Sequence, residues 1–243
     1  VSEVKPNAPA AIEVPPLVSA ATEKVTADKV AEGVWFLAGG SHNSVAIEMK
    51  DHLMVVESPL FDGRALPMLA EAKKLAPGKA IRFVVNSHHH FDHSGGLRTA
   101  VAEGATLVTS ELARPYFEKT LANPNRLSPD AMEKSGRTAQ LTGVPGQRRF
   151  TDGDRVADVH YIEGSVHARG FMMVYLPKEK LLIEADAFTP GPPGAPPPAT
   201  PNALHVNLVQ NMERLNLQVE KILPLHGRVV PVAELYTAIG RKN

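Results

Sequence analysis

The stretch Ser87-His88-His89-His90-Phe91-Asp92-His93-Ser94-Gly95-Gly96 places four histidines and one aspartate within six residues, directly after the apolar run at 81–85. Imidazole nitrogen and carboxylate oxygen are common ligands of zinc, manganese and iron. Because alternate residues of an extended chain point the same way, His88 and His90 can share one metal ion. Asp92 and His93, which the turn of the loop displaces, can face a second ion.

One loop rarely supplies all the ligands of a metal site, so further ligands are expected at other strand ends. Three candidates have this placement: His167 lies between two β-like runs, Asp186 follows the apolar run 181–185, and His226 follows the run 222–225. Each of them alone is more often an ordinary loop residue. A chance histidine-rich loop or a tag remnant is the alternative for the first stretch, and its internal position after an apolar strand argues against both.

The order of these elements resembles the metallo-β-lactamase superfamily over roughly Val34 to the C-terminus. His88, His90, Asp92 and His93 match the motif H-x-H-x-D-H, and residues 164–170, which carry His167, match G-x-x-H-x-x-G. Asp186 and the pair His226-Gly227 match the later acidic and histidine elements. The resemblance implies an α/β fold, the αβ/βα four-layer sandwich of two mixed β-sheets flanked by helices.

The resemblance also implies a site with two divalent metal ions, zinc before manganese or iron. The first ion is expected on His88, His90 and His167, the second on Asp92, His93 and His226, with Asp186 bridging the two. Asp92 is in addition expected to act in catalysis by carrying a proton. His42, in the turn after Gly39-Gly40, is expected to contact substrate, and Glu57 is expected to support the site without binding metal.

The function implied is a metal-dependent hydrolase in which a metal-bridged hydroxide cleaves an ester, thioester, lactone or amide bond. A β-lactamase proper and a mononuclear-iron enzyme similar to persulfide dioxygenases are the alternatives. The chain has no cysteine, which excludes the β-lactamases that use a cysteine ligand. A non-catalytic metal scaffold is disfavoured because no expected ligand is replaced.

Composition limits the partners. The 243 residues carry 26 Lys and Arg against 26 Asp and Glu, so the zero net charge gives no field for nucleic acid. No apolar run of about 18 residues is present, so no membrane partner is expected. A small-molecule substrate remains, with the oligomeric state open. The compartment is open too: periplasmic or secreted if a signal peptide was removed, otherwise cytoplasmic.

We expect residues 1–27 to form an extended Pro/Ala-rich N-terminal arm and residues 28–243 to form one domain. Strands are expected at 34–37, 44–49, 53–56, 81–85, 105–109, 156–162, 171–176, 180–183 and 222–225. Helices are expected at 66–75, 111–121, 202–217 and 232–239, and loops with one further helix at 122–147. The proline-rich segment 189–201 follows Asp186 closely, which favours either a rim of the active-site cleft or a stiff surface connection.

Overall fold

The computed structural model describes residues 24–241, which form two β-sheets and seven helices. The seven-stranded sheet contains, in spatial order, β1 (Thr26–Ala31), β2 (Val34–Ala38), β3 (Ser44–Glu48), β4 (His52–Val56), β5 (Ala80–Val85), β6 (Thr106–Ser110) and β7 (Gln140–Val144). The six-stranded sheet contains β13 (Val230–Pro231), β12 (Lys221–Pro224), β11 (Leu181–Glu184), β10 (Met172–Leu176), β9 (Arg155–Tyr161) and β8 (Gln147–Asp152). The helices are α1 (Asp62–Leu75), α2 (Phe91–Ser94), α3 (Leu97–Ala102), α4 (Arg114–Ala122), α5 (Ala131–Ser135), α6 (Ala203–Arg214) and α7 (Val232–Ala238).

Both sheets are mixed. Strands β1 to β4 are antiparallel neighbours, whereas β4 to β7 run parallel and are joined by helices. In the second sheet β8 to β11 are antiparallel, and α6 connects β11 to its parallel neighbour β12. Parallel strands need such a crossover, which explains why helices cover the outer face of each sheet.

Alternate apolar residues of the first sheet pack into two different cores, one between the sheets and one beneath the helices. On β3, Val45 and Ile47 belong to the core between the sheets, while Ala46 faces the helices. On β4, Met54 and Val56 likewise face the second sheet. Residues on both faces are buried because the strand lies between two packed layers. This arrangement confirms the predicted sandwich of two mixed sheets flanked by helices.

The ends of four strands determine where the candidate site residues lie. Strands β4 and β5 are parallel neighbours in which Val56 pairs with Val85, so the residues after them leave the sheet side by side. Strands β11 and β12 are also parallel, and Glu184 pairs with Pro224. The loops after four strands of the two sheets therefore meet at one edge of the sandwich.

The N-terminal boundary differs from the prediction. Strand β1 begins at Thr26, so Thr26 and Ala27, assigned to the arm, pair with Ala38 and Leu37 of β2. Residues 1–23 of the predicted arm lie outside the described residues. The single domain 28–243 stays a prediction.

The middle of the chain also differs. Residues 122–147, where loops and one helix are expected, contain the helix α5 but also the strand β7 and the start of β8, and α4 begins at Arg114, not at Glu111. Between residues 24 and 241, no helix combines the length and the apolar character needed to cross a membrane.

Candidate metal centre

Two groups of histidine and aspartate side chains meet at the edge where the loops converge. The first group contains His88, His90, His167 and Asp186. The second contains His42, Asp92, His93 and His226. Within each group the possible ligand atoms lie within 4.8 Å of one another. The structure thus brings together all seven predicted metal ligands and adds His42 to the second group.

In the first group the nitrogens point at a common centre. His88 Nε2 lies 2.9 Å from His90 Nδ1 and 3.1 Å from His167 Nε2. Asp186 Oδ2 lies 3.2 Å from His88 Nε2 and 2.8 Å from His167 Nε2. One imidazole nitrogen carries at most one proton and cannot bond to three partners in this way. Such convergence is typical of atoms that surround a cation.

The second group has the same character. His93 Nε2 lies 3.0 Å from His226 Nε2 and 3.4 Å from Asp92 Oδ2. His226 Nε2 lies 2.9 Å from Asp186 Oδ1, and His93 Nε2 lies 3.2 Å from Asp186 Oδ2, the oxygen that also contacts the first group. The Asp186 carboxylate therefore lies between the two groups and contacts both, as a bridging ligand would.

These separations fit divalent cations of the expected size. Ligand atoms about 2.0–2.1 Å from zinc at tetrahedral angles lie about 3.3 Å from one another, and at octahedral angles about 3.0 Å. The spacings of 2.8 to 3.4 Å among His88, His167, Asp186, His93 and Asp92 match these values. The residues present thus fit the metal ions that the sequence implies.

Hydrogen bonds within the protein fix the imidazole rings. Ser87 Oγ lies 2.9 Å from His88 Nδ1, and Glu57 Oε2 lies 2.9 Å from His93 Nδ1. Each bond leaves the other ring nitrogen directed at the centre. This is the way in which metal-binding histidines are usually oriented.

Glu57 supports the centre from a fully buried position with an unusual backbone conformation. It is fully buried, it follows β4 directly, and its φ of 68° lies in the left-handed region that non-glycine residues seldom adopt. Its Oε1 accepts a hydrogen bond of 2.5 Å from the Ser87 backbone nitrogen. Glu57 therefore holds both the loop that carries the first ligands and the ring of His93.

Asp186 and His93 have the most strongly shifted pKa values in the metal-free centre. Burial opposes ionisation of Asp186, but hydrogen bonds from His226, His88 and His93 outweigh it and hold the pKa of this carboxyl well below its usual range. Burial also opposes protonation of His93, yet hydrogen bonds to Asp186 and Glu57 raise its pKa to about 10. In His88 burial prevails and lowers the pKa. The centre thus holds a carboxylate whose charge a cation can neutralise.

The local fold explains the spacing of the motif. His88 and His90 lie in the loop that follows β5, with His90 in extended conformation, and the short helix α2 then carries Asp92 and His93 on its single turn. A side chain at Gly95 would approach Leu60 O to 1.9 Å, so the close contact of this turn with the 58–60 segment requires glycine.

Other histidines lie outside these two groups. His89 packs against Tyr116, with ring centroids 5.6 Å apart, and His205 packs against Phe188 at 4.9 Å. His52 belongs to a separate group with Asp51 and Asp152. His52 begins β4, so that group lies at the opposite end of the strand from Glu57.

The proline-rich segment lies beside the second group. A side chain at Gly227, next to His226, would approach Pro190 to 3.2 Å, and Arg228 Nη2 donates to Gly191 O at 3.2 Å. The segment, α6 and α7 enclose a cavity of about 560 Å³, whose walls include Phe188.

Comparison with known proteins identifies the family and the fold of this chain. A family model described as the Metallo-beta-lactamase superfamily matches residues 37–230. The alpha subunit of 2,4-dinitroanisole O-demethylase from Nocardioides sp. (strain JS1661) is 23% identical over 168 residues. That match covers 69% of this chain and 48% of the relative, so the chain spans about half the length of the curated relative it matches.

Several solved structures share the fold. A metallo-beta-lactamase from Pontibacter korlensis superposes with a TM-score of 0.65 at 16% identity, covering 89% of this chain and 98% of that one. DIM-1 metallo-beta-lactamase gives 0.65 at 18% identity, covering 88% and 95%. A metallo beta lactamase from Hirschia baltica gives 0.63 at 20% identity, covering 91% and 100%. At these identities the likeness concerns the fold.

Proposed function

This chain belongs to the metallo-beta-lactamase superfamily, and from that membership we propose that it is a hydrolase that uses two divalent metal ions to cleave an ester, thioester, lactone or amide bond of a small molecule. The observation that carries the proposal is the pair of converging ligand groups that share Asp186. Zinc is the first choice because the donors are imidazole and carboxylate, which also suit manganese and iron.

Each proposed ligand has a defined role. His88, His90 and His167 would hold the first ion, and Asp92, His93 and His226 the second, with Asp186 between them. Two such ions, when bound, would bring the pKa of a shared water close to neutrality and polarise the carbonyl under attack. The protein contributes fixed ligand positions, because Ser87 and Glu57 restrain the rings of His88 and His93.

Asp92 is the proposed proton carrier. Its side chain is 41% exposed, against 17% for Asp186, so it is the carboxylate that a substrate can approach. Burial opposes its ionisation, but the hydrogen bond with His42 outweighs that and lowers the pKa of Asp92. The ionised carboxylate can accept a proton from the attacking water and return it to the leaving group.

The bond cleaved is proposed at the level of a class. The similar structures are metallo-beta-lactamases by name, which supports testing a β-lactam. The curated relative is named as a 2,4-dinitroanisole O-demethylase subunit, which supports adding this aryl ether to the substrates tested.

The test is a hydrolysis panel with a matched pair of variants. A thioester, an acyl-homoserine lactone, a phenyl ester, a β-lactam and 2,4-dinitroanisole would be offered to the parent protein, to Asp186→Asn and to Asp154→Asn. Asp154 is an exposed aspartate between β8 and β9 and serves as the control. We expect turnover of at least one substrate by the parent and the control, and a loss of at least about 100-fold in Asp186→Asn. Equal turnover by the two variants would refute the shared metal centre.

A further inference from the structure

His42 occupies the position of a ligand in the second group. Its Nε2 lies 3.1 Å from Asp92 Oδ2, and its ring centroid lies 4.3 Å from that of His226 and 5.5 Å from that of His93. Its side chain is only 12% exposed. His42 therefore lies within the group of side chains that surrounds the second centre, not on the outer wall of the cleft.

The His42 ring is oriented in the same way as the rings of His93 and His226. In His93 the Nε2 points inward while Nδ1 lies 2.9 Å from a carboxylate oxygen of Glu57. In His226 the Nε2 points inward while Nδ1 lies 3.3 Å from the backbone oxygen of Ser41. In His42 the Nδ1 lies 2.7 Å from Ser41 Oγ, and Nε2 again points inward. All three rings present the same nitrogen and are held through the other, the arrangement that orients metal ligands.

The backbone around His42 is fixed to the loop that carries His226. The Asn43 backbone nitrogen donates to Leu225 O at 2.8 Å, and its side-chain nitrogen donates to Gly227 O at 2.9 Å. The buried Arg64 of α1 donates through Nη2 to the His42 carbonyl oxygen at 2.8 Å. A residue that contacts substrate from a mobile loop does not need this bracing, whereas a ligand must be held in place.

We propose that His42 is a protein ligand of the second metal ion, a role that rests on the two-metal site proposed above. The first ion would then be held by His88, His90, His167 and Asp186. The second ion would be held by His42, Asp92, His93 and His226, with Asp186 shared between the two.

The two positions would consequently differ in the number of protein ligands that they offer. The first group would offer four, the number that a tetrahedral zinc site uses. The second group, with His42 included, would offer five, and a larger ligand number suits manganese, iron or cobalt better than zinc.

The test compares cobalt binding by four forms of the full chain: the parent, His42→Ala, His42→Gln and His89→Ala. Cobalt(II) is added to metal-free protein, and the number of ions bound, their affinities and the visible absorption per ion are measured. His89 is a control because it lies in the same stretch but outside both groups. Circular dichroism establishes that each variant is folded, and the glutamine variant retains an N–H that can donate to Asp92.

We expect the parent and His89→Ala to bind two ions. We expect both His42 variants to keep the first ion and to bind the second at least about 10- to 100-fold more weakly. At saturating cobalt the variants should absorb more strongly than the parent, because lower coordination number intensifies the visible bands of cobalt(II).

Two results would overturn the role of His42. If both variants bind the second ion with parental affinity and spectrum, His42 contacts only substrate. If the glutamine variant behaves as the parent while the alanine variant does not, His42 positions Asp92 through a hydrogen bond. A parent that binds no second ion would instead refute the two-metal function, and the ligand role would fall with it.

Discussion

Glu57 shows how one buried carboxylate can decide the state of a metal ligand. It accepts hydrogen bonds from the Ser87 backbone nitrogen and from His93 Nδ1, and it is fully buried. A carboxylate at this position requires the proton of neutral His93 to sit on Nδ1, which leaves Nε2 free for a metal ion.

We predict that Glu57→Gln weakens binding of the second ion by about 10- to 100-fold and leaves the first ion in place. The amide nitrogen of glutamine cannot accept a hydrogen bond, so the tautomer with a protonated Nε2 becomes competitive. Competition with a chelator measures both affinities. Glu184→Gln is the control, because burial raises the pKa of Glu184 well above its usual range and its neutral acid resembles the amide. Parental affinity for both ions in Glu57→Gln would contradict this role.

His93 gives the metal-free protein a characteristic pH dependence. Its pKa rises from 6.5 to about 10 on folding, so its contribution to stability is complete below pH 6.5 and is lost as the pH rises through 10. The pKa of Asp186 is lowered from 3.8, so its contribution is present above that value and is lost as the pH falls. The contributions of His93 and Asp186 are therefore both present between pH 3.8 and 6.5.

We predict that the melting temperature of chelator-treated protein falls between about pH 6.5 and about pH 10. Metal-loaded protein should not follow this fall, because its ligands must be deprotonated and metal affinity rises with pH. Thermal unfolding of both forms across this range is the measurement. A metal-free protein whose stability is constant or increases over the range would contradict the assignment.

The seven expected ligands could be proposed from sequence because each matches a place in a motif, and the structure brings these seven side chains together. His42 could not be assigned in the same way. Its closest polar partner in the centre, Asp92, is 50 positions away in the sequence. His42 reaches the centre only because the β2–β3 turn packs against the 225–227 loop. The signal in the sequence was a histidine among polar residues in a turn, which a substrate contact explains equally well.

Among the elements, the central strands were predictable and the edge strands were not. Strands β1 and β7 form the edges of the first sheet, and β8 and β13 form those of the second. None of these four was expected from the sequence. An edge strand pairs on one side and buries little of its surface, so polar residues such as Gln147, Arg148 and Arg149 are tolerated there. The apolar runs that reveal strands in sequence belong to the buried interior of each sheet.

The proline-rich segment is the element that we propose as a rim of the cleft. Its contacts with Gly227 and Arg228 place it beside His226. Prolines fix the backbone of such a segment without regular hydrogen bonds and so give a stiff wall.

We predict that deletion of residues 191–198 raises KM several-fold while the protein still binds two metal ions, because substrate loses one wall of its site. Steady-state kinetics with each hydrolysed substrate, together with metal analysis, are the measurements. An unchanged KM for all substrates would mean that the segment is only a surface connection.

Across the whole molecule, the metal centre joins the two sheets. His88 follows a strand of the first sheet, whereas Asp186 and His226 follow strands of the second. Bound ions would therefore stabilise the packing of the sheets against each other and not merely the loops. An ion present at about 100 times its dissociation constant stabilises the folded state by about 2.7 kcal/mol.

We predict that the protein without metal melts about 5–10 °C lower, for each ion lost, than the protein with metal present at about 100 times its dissociation constant. Re-addition of metal should restore the melting temperature. Differential scanning calorimetry at pH values near neutrality measures this change. The His89→Ala variant should lose as much stability on chelation as the parent, because its side chain lies outside both groups. An equal melting temperature with and without metal would contradict the proposal that bound ions stabilise the packing of the two sheets.

The most direct test of the two-metal hydrolase is the metal content of the purified protein by elemental analysis, measured alongside hydrolysis and oxygen uptake. We predict two divalent ions for each chain, turnover of at least one substrate of the panel, and no consumption of oxygen. A single iron ion, with oxygen consumed and no bond hydrolysed, would contradict the account and indicate a dioxygenase.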